Sequence, residues 1–288
     1  HCQKTHFLYL DVYSPSTFKT LQRQEGIRRM KRYRHYKRDR AIILSCFGSI
    51  IEQQKYLDLK KLVEKTYPDA DVFLSFSSRM VLKYVIKEGL DYKNLPQVLS
   101  DVDMMGYKHI IVSSINLFPT DEHAVLQNIV NGFNQFSLSH IRYTDAILTK
   151  TKESTLFLKN LDETVTKENT ANLYIIHGTP RLETQGIDSI TYAHQFLEEI
   201  GAANYACSLE GAFPFYAMKE TIIRNMKKDG VKKVQIIPML LVSGNHYEKD
   251  MFELRDDLSA YFKVEVVPTI TEADRFNLIE IKEFQKHI

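Results

Sequence analysis

Two histidines stand at comparable places in the chain, each shortly after an apolar run and within two residues of a glycine. His177 precedes Gly178, and His246 comes two residues after Gly244. Imidazole is a common protein ligand for cobalt, iron, nickel and zinc, and it titrates near neutral pH. Because parallel strands of an open sheet deliver their carboxyl ends to one crevice, the two side chains can share a site. The pair predicts a site that holds a metal or moves protons.

Carboxylates follow two further strand-like stretches. Glu210 directly follows the stretch 205–209, and Asp121 and Glu122 follow the apolar run 109–115. A single histidine after a strand is more often a hydrogen-bonded structural residue than a ligand. Four separate strand ends that offer two histidines and two glutamates favour a functional site over packing, since both residue types bind metals and accept protons.

The residues around His246 carry a longer pattern. Pro238-Met-Leu-Leu-Val-Ser-Gly-Asn-His-Tyr-Glu-Lys-Asp-Met251 resembles the Pro-x-x-Leu-Val-x-Gly-x-His-x-x-x-Asp-Met pattern of the class II tetrapyrrole metal chelatases. Cys46-Phe-Gly-Ser49 is similar to a Ser-Phe-Gly-Thr turn of that family, and the likeness runs from about Ala41 to the C-terminus. His177 and Glu210 stand where the family keeps a histidine and a glutamate at its metal site. The chain is most similar to the anaerobic cobaltochelatases that act on sirohydrochlorin.

The resemblance implies a protein that binds a tetrapyrrole and inserts or removes a divalent metal, Co²⁺ or Fe²⁺, as in cobalamin biosynthesis. Insertion expels two pyrrole protons, so the site needs both metal ligands and proton acceptors. The implied metal ligands are His177, His246 and Glu210, and the implied catalytic residues are His177, Glu210 and Glu122. The predicted contacts to the ring are Phe47, Phe213 and Tyr247, which lie beside these site segments, and Arg79 is a candidate partner for its peripheral carboxylates.

Several positions depart from the cobaltochelatase pattern. Asn116 replaces a further histidine, Ile176 and Arg79 each replace a glycine, and no Gly-Leu-Gly-Glu stretch is recognisable around residues 269–272. The alternative function is therefore a haem-binding, lipid-anchored cell-envelope protein for haem or iron acquisition that uses the same fold, with Cys2 as the acylated residue. A third alternative is a small-ligand-binding protein without metal. A biosynthetic chelatase predicts a cytoplasmic location, and the haem protein predicts the cell envelope.

The composition limits the classes of partner that the protein is expected to bind. The 288 residues are 44% apolar and 26% charged, with a net charge of +2, as in ordinary globular proteins. No apolar stretch approaches the ~20 residues that span a bilayer, and no glycine-rich phosphate loop is present. Residues 28–40 carry eight Lys/Arg and one Asp, which is typical of a solvated segment. We expect a tetrapyrrole ligand, no nucleic acid, and a possible homo-oligomer.

Alternating strand and helix signals predict an α/β fold with two similar lobes, each a parallel sheet flanked by helices, facing each other across a cleft. The first half carries strand signals at 41–46, 71–76 and 109–115 with helical patterns between and after them. A weak internal repeat aligns Gly106–Val112 with Gly230–Ile236 and Phe47-Gly48 with His177-Gly178. The predicted organisation is a basic extension poor in packing over 1–40, an N-terminal lobe over 41–150, a bridge over 151–172 and a C-terminal lobe over 173–288.

Overall fold

The described part of the computed structural model comprises residues 35–242, 244 and 246–270, with the backbone alone for residues 246–248. Its N-terminal lobe alternates strands with helices. The elements are β1 (Arg38–Cys46), α1 (Gln53–Thr66), β2 (Ala70–Phe76), α2 (Arg79–Lys87), α3 (Leu95–Met104), β3 (Tyr107–Ile115), α4 (Asp121–Phe133) and β4 (His140–Tyr143).

The helix α5 (Thr151–Val165) leads into the C-terminal lobe, which repeats this alternation. The elements are β5 (Ala171–Gly178), α6 (Ile187–Ile200), β6 (Asn204–Glu210), α7 (Phe215–Lys228), β7 (Lys233–Met239), a π-helical turn (His246–Met251), α8 (Phe252–Ser259) and β8 (Lys263–Val266).

Each lobe contains a four-stranded parallel sheet, in the orders β2-β1-β3-β4 and β6-β5-β7-β8. The pairing register is also repeated: Ala41 lies opposite Ile110 in the first sheet, and Ala171 lies opposite Val234 in the second. The internal repeat in the sequence aligns Ile110 with Val234, and Ala41 and Ala171 have the same separation as its other aligned pair, Phe47 and His177. The predicted α/β fold with two similar lobes is therefore confirmed.

A shared core joins the lobes. The largest cluster of buried apolar side chains includes Leu44 of β1 and Ile176 of β5, together with Phe157 and Leu158 of α5. The lobes also touch directly, since a Cβ on Gly186 would lie 2.6 Å from the carbonyl oxygen of Pro119. The helix in the predicted bridge, α5, is thus packed, and residues 151–165 contribute to the interior of the molecule.

The start of the chain differs from expectation where it is described. Strand β1 begins at Arg38 rather than at residue 41, and Lys37 donates a backbone hydrogen bond to the carbonyl of Gly106. His35 and Tyr36 bond to backbone carbonyls of Asp103 and Leu138. Residues 35–40 therefore pack on the first lobe instead of belonging to a loosely packed extension. Residues 1–34, with Cys2, lie outside the described residues.

No helix among the described residues combines the length and the apolar character needed to cross a bilayer.

Candidate functional site

A cleft of about 470 Å³ lies between the two sheets, at the carboxyl ends of their strands. This is where parallel sheets bring loop residues together, as the sequence predicted. Four of the predicted site residues line it: His177, Glu210, Phe47 and Glu122. Its floor and remaining walls are largely apolar and include Ile50, Ile51, Met80, Ile115, Leu117, Phe118, Met239, Leu240 and Leu241.

His177 and Glu210 form one wall, and glycines fix their relative position. Gly178 lies opposite Glu210 in the β5–β6 register, and a Cβ on Gly178 would lie 1.9 Å from the Glu210 carbonyl oxygen. A Cβ on Gly211 would lie 2.1 Å from the carbonyl oxygen of Thr179. Both glycines have φ near +79°, which other residues adopt only at a cost. The two strand ends therefore interlock, and this brings the imidazole-bearing and carboxylate-bearing segments together.

Only the backbone of His246 belongs to the described part of the structure. It opens the π-helical turn that follows β7, seven residues beyond Met239, the last paired residue of that strand. Gly244, two residues earlier, lines the cleft. π-Helical turns are rare and occur often at functional sites. That His246 and His177 share a metal ion remains a prediction, and among the described side chains no three His, Cys, Asp or Glu residues are grouped closely enough to hold one.

The N-terminal lobe supplies an apolar wall with one acidic edge. Phe47 is 45% exposed at the end of β1, and the backbone N–H of the next residue, Gly48, donates a 3.1 Å hydrogen bond to the Tyr56 hydroxyl. Glu122 is exposed in the first turn of α4, and its Oε2 accepts a 3.3 Å bond from Thr120 Oγ1. This side of the cleft offers a flat aromatic contact beside a carboxylate.

A buried hydrogen-bond chain behind this wall was not anticipated from the sequence. Asn116, which lines the cleft, donates from Nδ2 to Ser114 Oγ at 3.0 Å, and Ser114 Oγ lies 2.8 Å from His123 Nδ1. Burial lowers the pKa of His123, which favours the neutral imidazole, and the tautomer of that ring sets whether Nδ1 donates to or accepts from the serine hydroxyl. The chain holds the amide of Asn116 in one orientation. Its sequence signal is a group of polar residues, Ser113, Ser114 and Asn116, at the carboxyl end of a strand with an apolar centre.

The other predicted contacts lie elsewhere. Phe213 is not among the residues that line the described part of the cleft: its carbonyl accepts from Ser208 N, and its ring packs 5.3 Å from that of buried His194. Its position gives the predicted ring contact no support. Arg79 is exposed at the start of α2, between the lining residues Ser78 and Met80. The side chain of Tyr247 lies outside the described residues.

Comparisons with known proteins identify the family of the chain. The family model described as cobalt chelatase (CbiK) matches residues 40–286. A curated relative, the sirohydrochlorin cobaltochelatase of Salmonella typhimurium strain LT2, is 20% identical over 226 residues, which cover 74% of this chain and 80% of that protein.

Solved structures show the same fold at low identity. SirB from Bacillus subtilis with Fe³⁺ superposes with a TM-score of 0.63 at 18% identity, covering 86% of this chain and 95% of that one. The sirohydrochlorin chelatase SirB from Bacillus subtilis subspecies spizizenii, in complex with cobalt, gives 0.59 at 14% identity over 86% and 94%. The family model extends over most of the chain and includes both walls of the cleft, so the protein belongs to the cobalt chelatase family.

Proposed function

We propose that this cleft inserts a divalent metal, Co²⁺ or Fe²⁺, into a tetrapyrrole. The observation that carries the proposal is the opposition of two unlike walls in one cleft: His177 and Glu210 on one side, and the exposed ring of Phe47 on the other. A flat macrocycle needs an apolar face to lie on, while the metal and the departing protons need basic ligands. The two SirB structures named above contain Fe³⁺ and cobalt, which supports a transition metal as substrate.

His177, His246 and Glu210 are the proposed ligands of the incoming metal. Neutral imidazole and carboxylate bind Co²⁺ and Fe²⁺ but, unlike thiolate, are not especially soft ligands, so they suit a site that must release its metal to the ring. The interlocked glycines at 178 and 211 keep two of these residues in register. The third comes from the turn after β7, next to the lining residue Gly244.

Proton transfer is the second requirement. When M²⁺ enters the free macrocycle, two pyrrole N–H bonds break, the nitrogen lone pairs bind the metal, and two protons leave. His177 and Glu210 are the proposed first acceptors, and Glu122 is the proposed acceptor on the opposite lobe. Glu122 is exposed at the cleft edge, so a proton that reaches it can pass to water.

The test is Glu210→Gln in the full chain, assayed anaerobically with Co²⁺ and a metal-free tetrapyrrole by absorption spectroscopy. The amide keeps the size of the side chain and removes the base, so we expect tetrapyrrole affinity within about twofold of the parent and an insertion rate lowered about 10²-fold or more. Glu163→Gln, which alters an exposed carboxylate on α5, is the matched control and should change neither.

The outcomes separate the two functional classes. Undiminished insertion by Glu210→Gln would contradict the proposed role of that residue. Tetrapyrrole binding without any insertion by the parent protein would favour the haem-binding alternative, because a haem carrier has no proton to remove. Absence of tetrapyrrole binding in the parent would contradict both.

A further inference from the structure

The ionisable side chains that line the described part of the cleft are mostly acidic. Apart from His177, the ionisable side chains that line its described part are the carboxylates Asp121, Glu122 and Glu210, together with the neutral phenol of Tyr56. Burial raises the pKa of Tyr56 well above its ordinary value, so it adds no charge at neutral pH. Asp121 and Glu122 are exposed and Glu210 is half-buried, so water and salt screen the field of these carboxylates in part. The described lining contains no Lys or Arg, so its acidic side chains outnumber its basic ones.

Cations near the cleft are tied to other acids or stand at its rim. Lys55, the neighbour of lining residue Tyr56, forms an ion pair with Glu52 and bonds to Thr269 Oγ1 at 3.2 Å. Arg181, after the lining residue Pro180, pairs with Glu183. Arg79 is exposed at the edge formed by Ser78 and Met80. A ligand carboxylate thus meets the positive charge of Arg79 at this edge and the carboxylate of Glu210 in the cleft wall.

The macrocycle named for the relatives carries an acetate and a propionate on each of its four rings. Binding such an octacarboxylate face-on against Phe47, Ile51 and Met80 would bring anionic groups against apolar side chains and within reach of three carboxylates. Desolvated charges without partners are costly, and like charges repel most strongly where water is excluded. A ring with vinyl, methyl or ethyl substituents would bury those groups against the same apolar side chains favourably.

We infer that the preferred macrocycle has an apolar periphery and few carboxylates, which project from one edge to the rim beside Arg79. This inference rests on the proposed function, since it names the class of tetrapyrrole that the same cleft binds. It departs from the octacarboxylate substrate implied by the name of the Salmonella relative. The apolar side chains of the cleft then contact the body of the ring, and the acidic residues are left for the metal and the protons.

A graded set of metal-free porphyrins tests this directly. Protoporphyrin, coproporphyrin and uroporphyrin share one ring and carry two, four and eight carboxylates, and their binding to the full chain can be followed by porphyrin fluorescence. We expect affinity to fall in that order at low salt, with uroporphyrin about tenfold or more weaker than protoporphyrin. Raising the ionic strength from about 0.01 M to about 1 M shortens the screening length from about 30 Å to about 3 Å. The difference in affinity between uroporphyrin and protoporphyrin should therefore become smaller.

The Asp121→Asn variant tests whether the charge of the cleft, rather than the size of the porphyrin substituents, sets the order of the affinities. Asp121 lines the cleft but is not among the proposed ligands or proton acceptors, so we expect uroporphyrin affinity to rise about threefold at low salt while protoporphyrin affinity stays within twofold. Glu163→Gln should leave both unchanged. Equal affinities, uroporphyrin as the tightest ligand, or uroporphyrin affinity that falls as salt rises would each overturn the inference while leaving the proposed function intact. Failure of all three porphyrins to bind would contradict the proposed function as well.

Discussion

The two lobes share a backbone plan and differ at the residues that face the cleft. When the β1–β2 register is continued beyond its last pair, Cys46 and Phe76, Phe47 and Ser78 fall at the positions that His177 and Glu210 occupy in the second lobe. Glu122 lies seven residues beyond the last paired residue of β3, as His246 does for β7. All of these positions except His246, whose side chain lies outside the described residues, line one cleft.

This difference shows how a duplicated framework supports unlike chemistry. The register of the parallel strands sets where each strand ends. Because the two sheets share this register, both lobes place side chains at equivalent points of the cleft. In the C-terminal lobe these points hold an imidazole and a carboxylate, and in the N-terminal lobe they hold an aromatic ring and a helix-capping serine. Ser78 accepts a hydrogen bond from Val81 N and starts α2, so it has a local structural task that Glu210 does not have.

The largest effect is expected when the C-terminal lobe is given the residue of its counterpart. His177→Phe places the side chain of position 47 at position 177 and removes a proposed ligand and base together. We expect Co²⁺ insertion to fall about 10³-fold, followed by absorbance, with a folded protein by circular dichroism. A variant that keeps more than a tenth of the parental rate would show that the lobes are not chemically distinct in the proposed way.

The glycines at the two matching turns provide a stability comparison. Gly178 and Gly48 both have positive φ, but a Cβ at 178 would meet the Glu210 backbone at 1.9 Å, while one at 48 would meet the Val81 side chain at 3.1 Å. Urea unfolding should show a loss of about 3 kcal/mol for Gly178→Ala and about 1–2 kcal/mol for Gly48→Ala. Gly89→Ala, with φ +80° and open space around it, is the control for the backbone cost alone. Equal losses at 178 and 48 would remove the argument that β5 and β6 interlock.

Much of this organisation could be predicted from the sequence because it depends on local patterns. Apolar runs marked β1, β2 and β3 to within a few residues, and the rule that parallel strand ends converge brought His177, Glu210, Phe47 and Glu122 to one cleft. The short edge strand β4 has four residues with little pattern of their own, and it gains its structure only by pairing with β3.

Other features depend on contacts that no local pattern contains. The predicted bridge contains few apolar residues, yet Phe157, Leu158 and Leu161 are buried because both lobes enclose α5. Phe213 adopts φ +52° and turns its carbonyl back to β6, which directs its ring to His194 rather than to the cleft. Its position in the structure therefore gives the predicted ring contact no support.

Each lobe also buries a histidine bonded to a strand serine, and the C-terminal one gives a pH prediction. Burial lowers the pKa of His194 from 6.5 to about 4. The unfolded chain therefore takes up this proton first, so the associated stability is complete above about pH 6.5 and is lost as pH falls toward 4. Between about pH 7 and pH 5 this amounts to about 2 kcal/mol. His194→Gln should reduce that slope in urea unfolding, and an unchanged slope would assign the acid sensitivity to other groups.

The smallest effect distinguishes the serines that hold the two histidines. Ser208 Oγ bonds to His194 Nε2 at 2.9 Å, whereas Ser114 Oγ bonds to His123 and also receives the amide of Asn116 at the cleft. Both Ser→Ala variants leave a buried imidazole unpaired and should lose about 1–2 kcal/mol in urea unfolding. Ser114→Ala also frees the Asn116 amide to rotate, so we expect the KM for the tetrapyrrole to rise about threefold in that variant and to stay unchanged in Ser208→Ala. Equal KM values would mean that the chain behind the N-terminal wall supports the fold alone, and that the lobes differ only at the strand-end residues themselves.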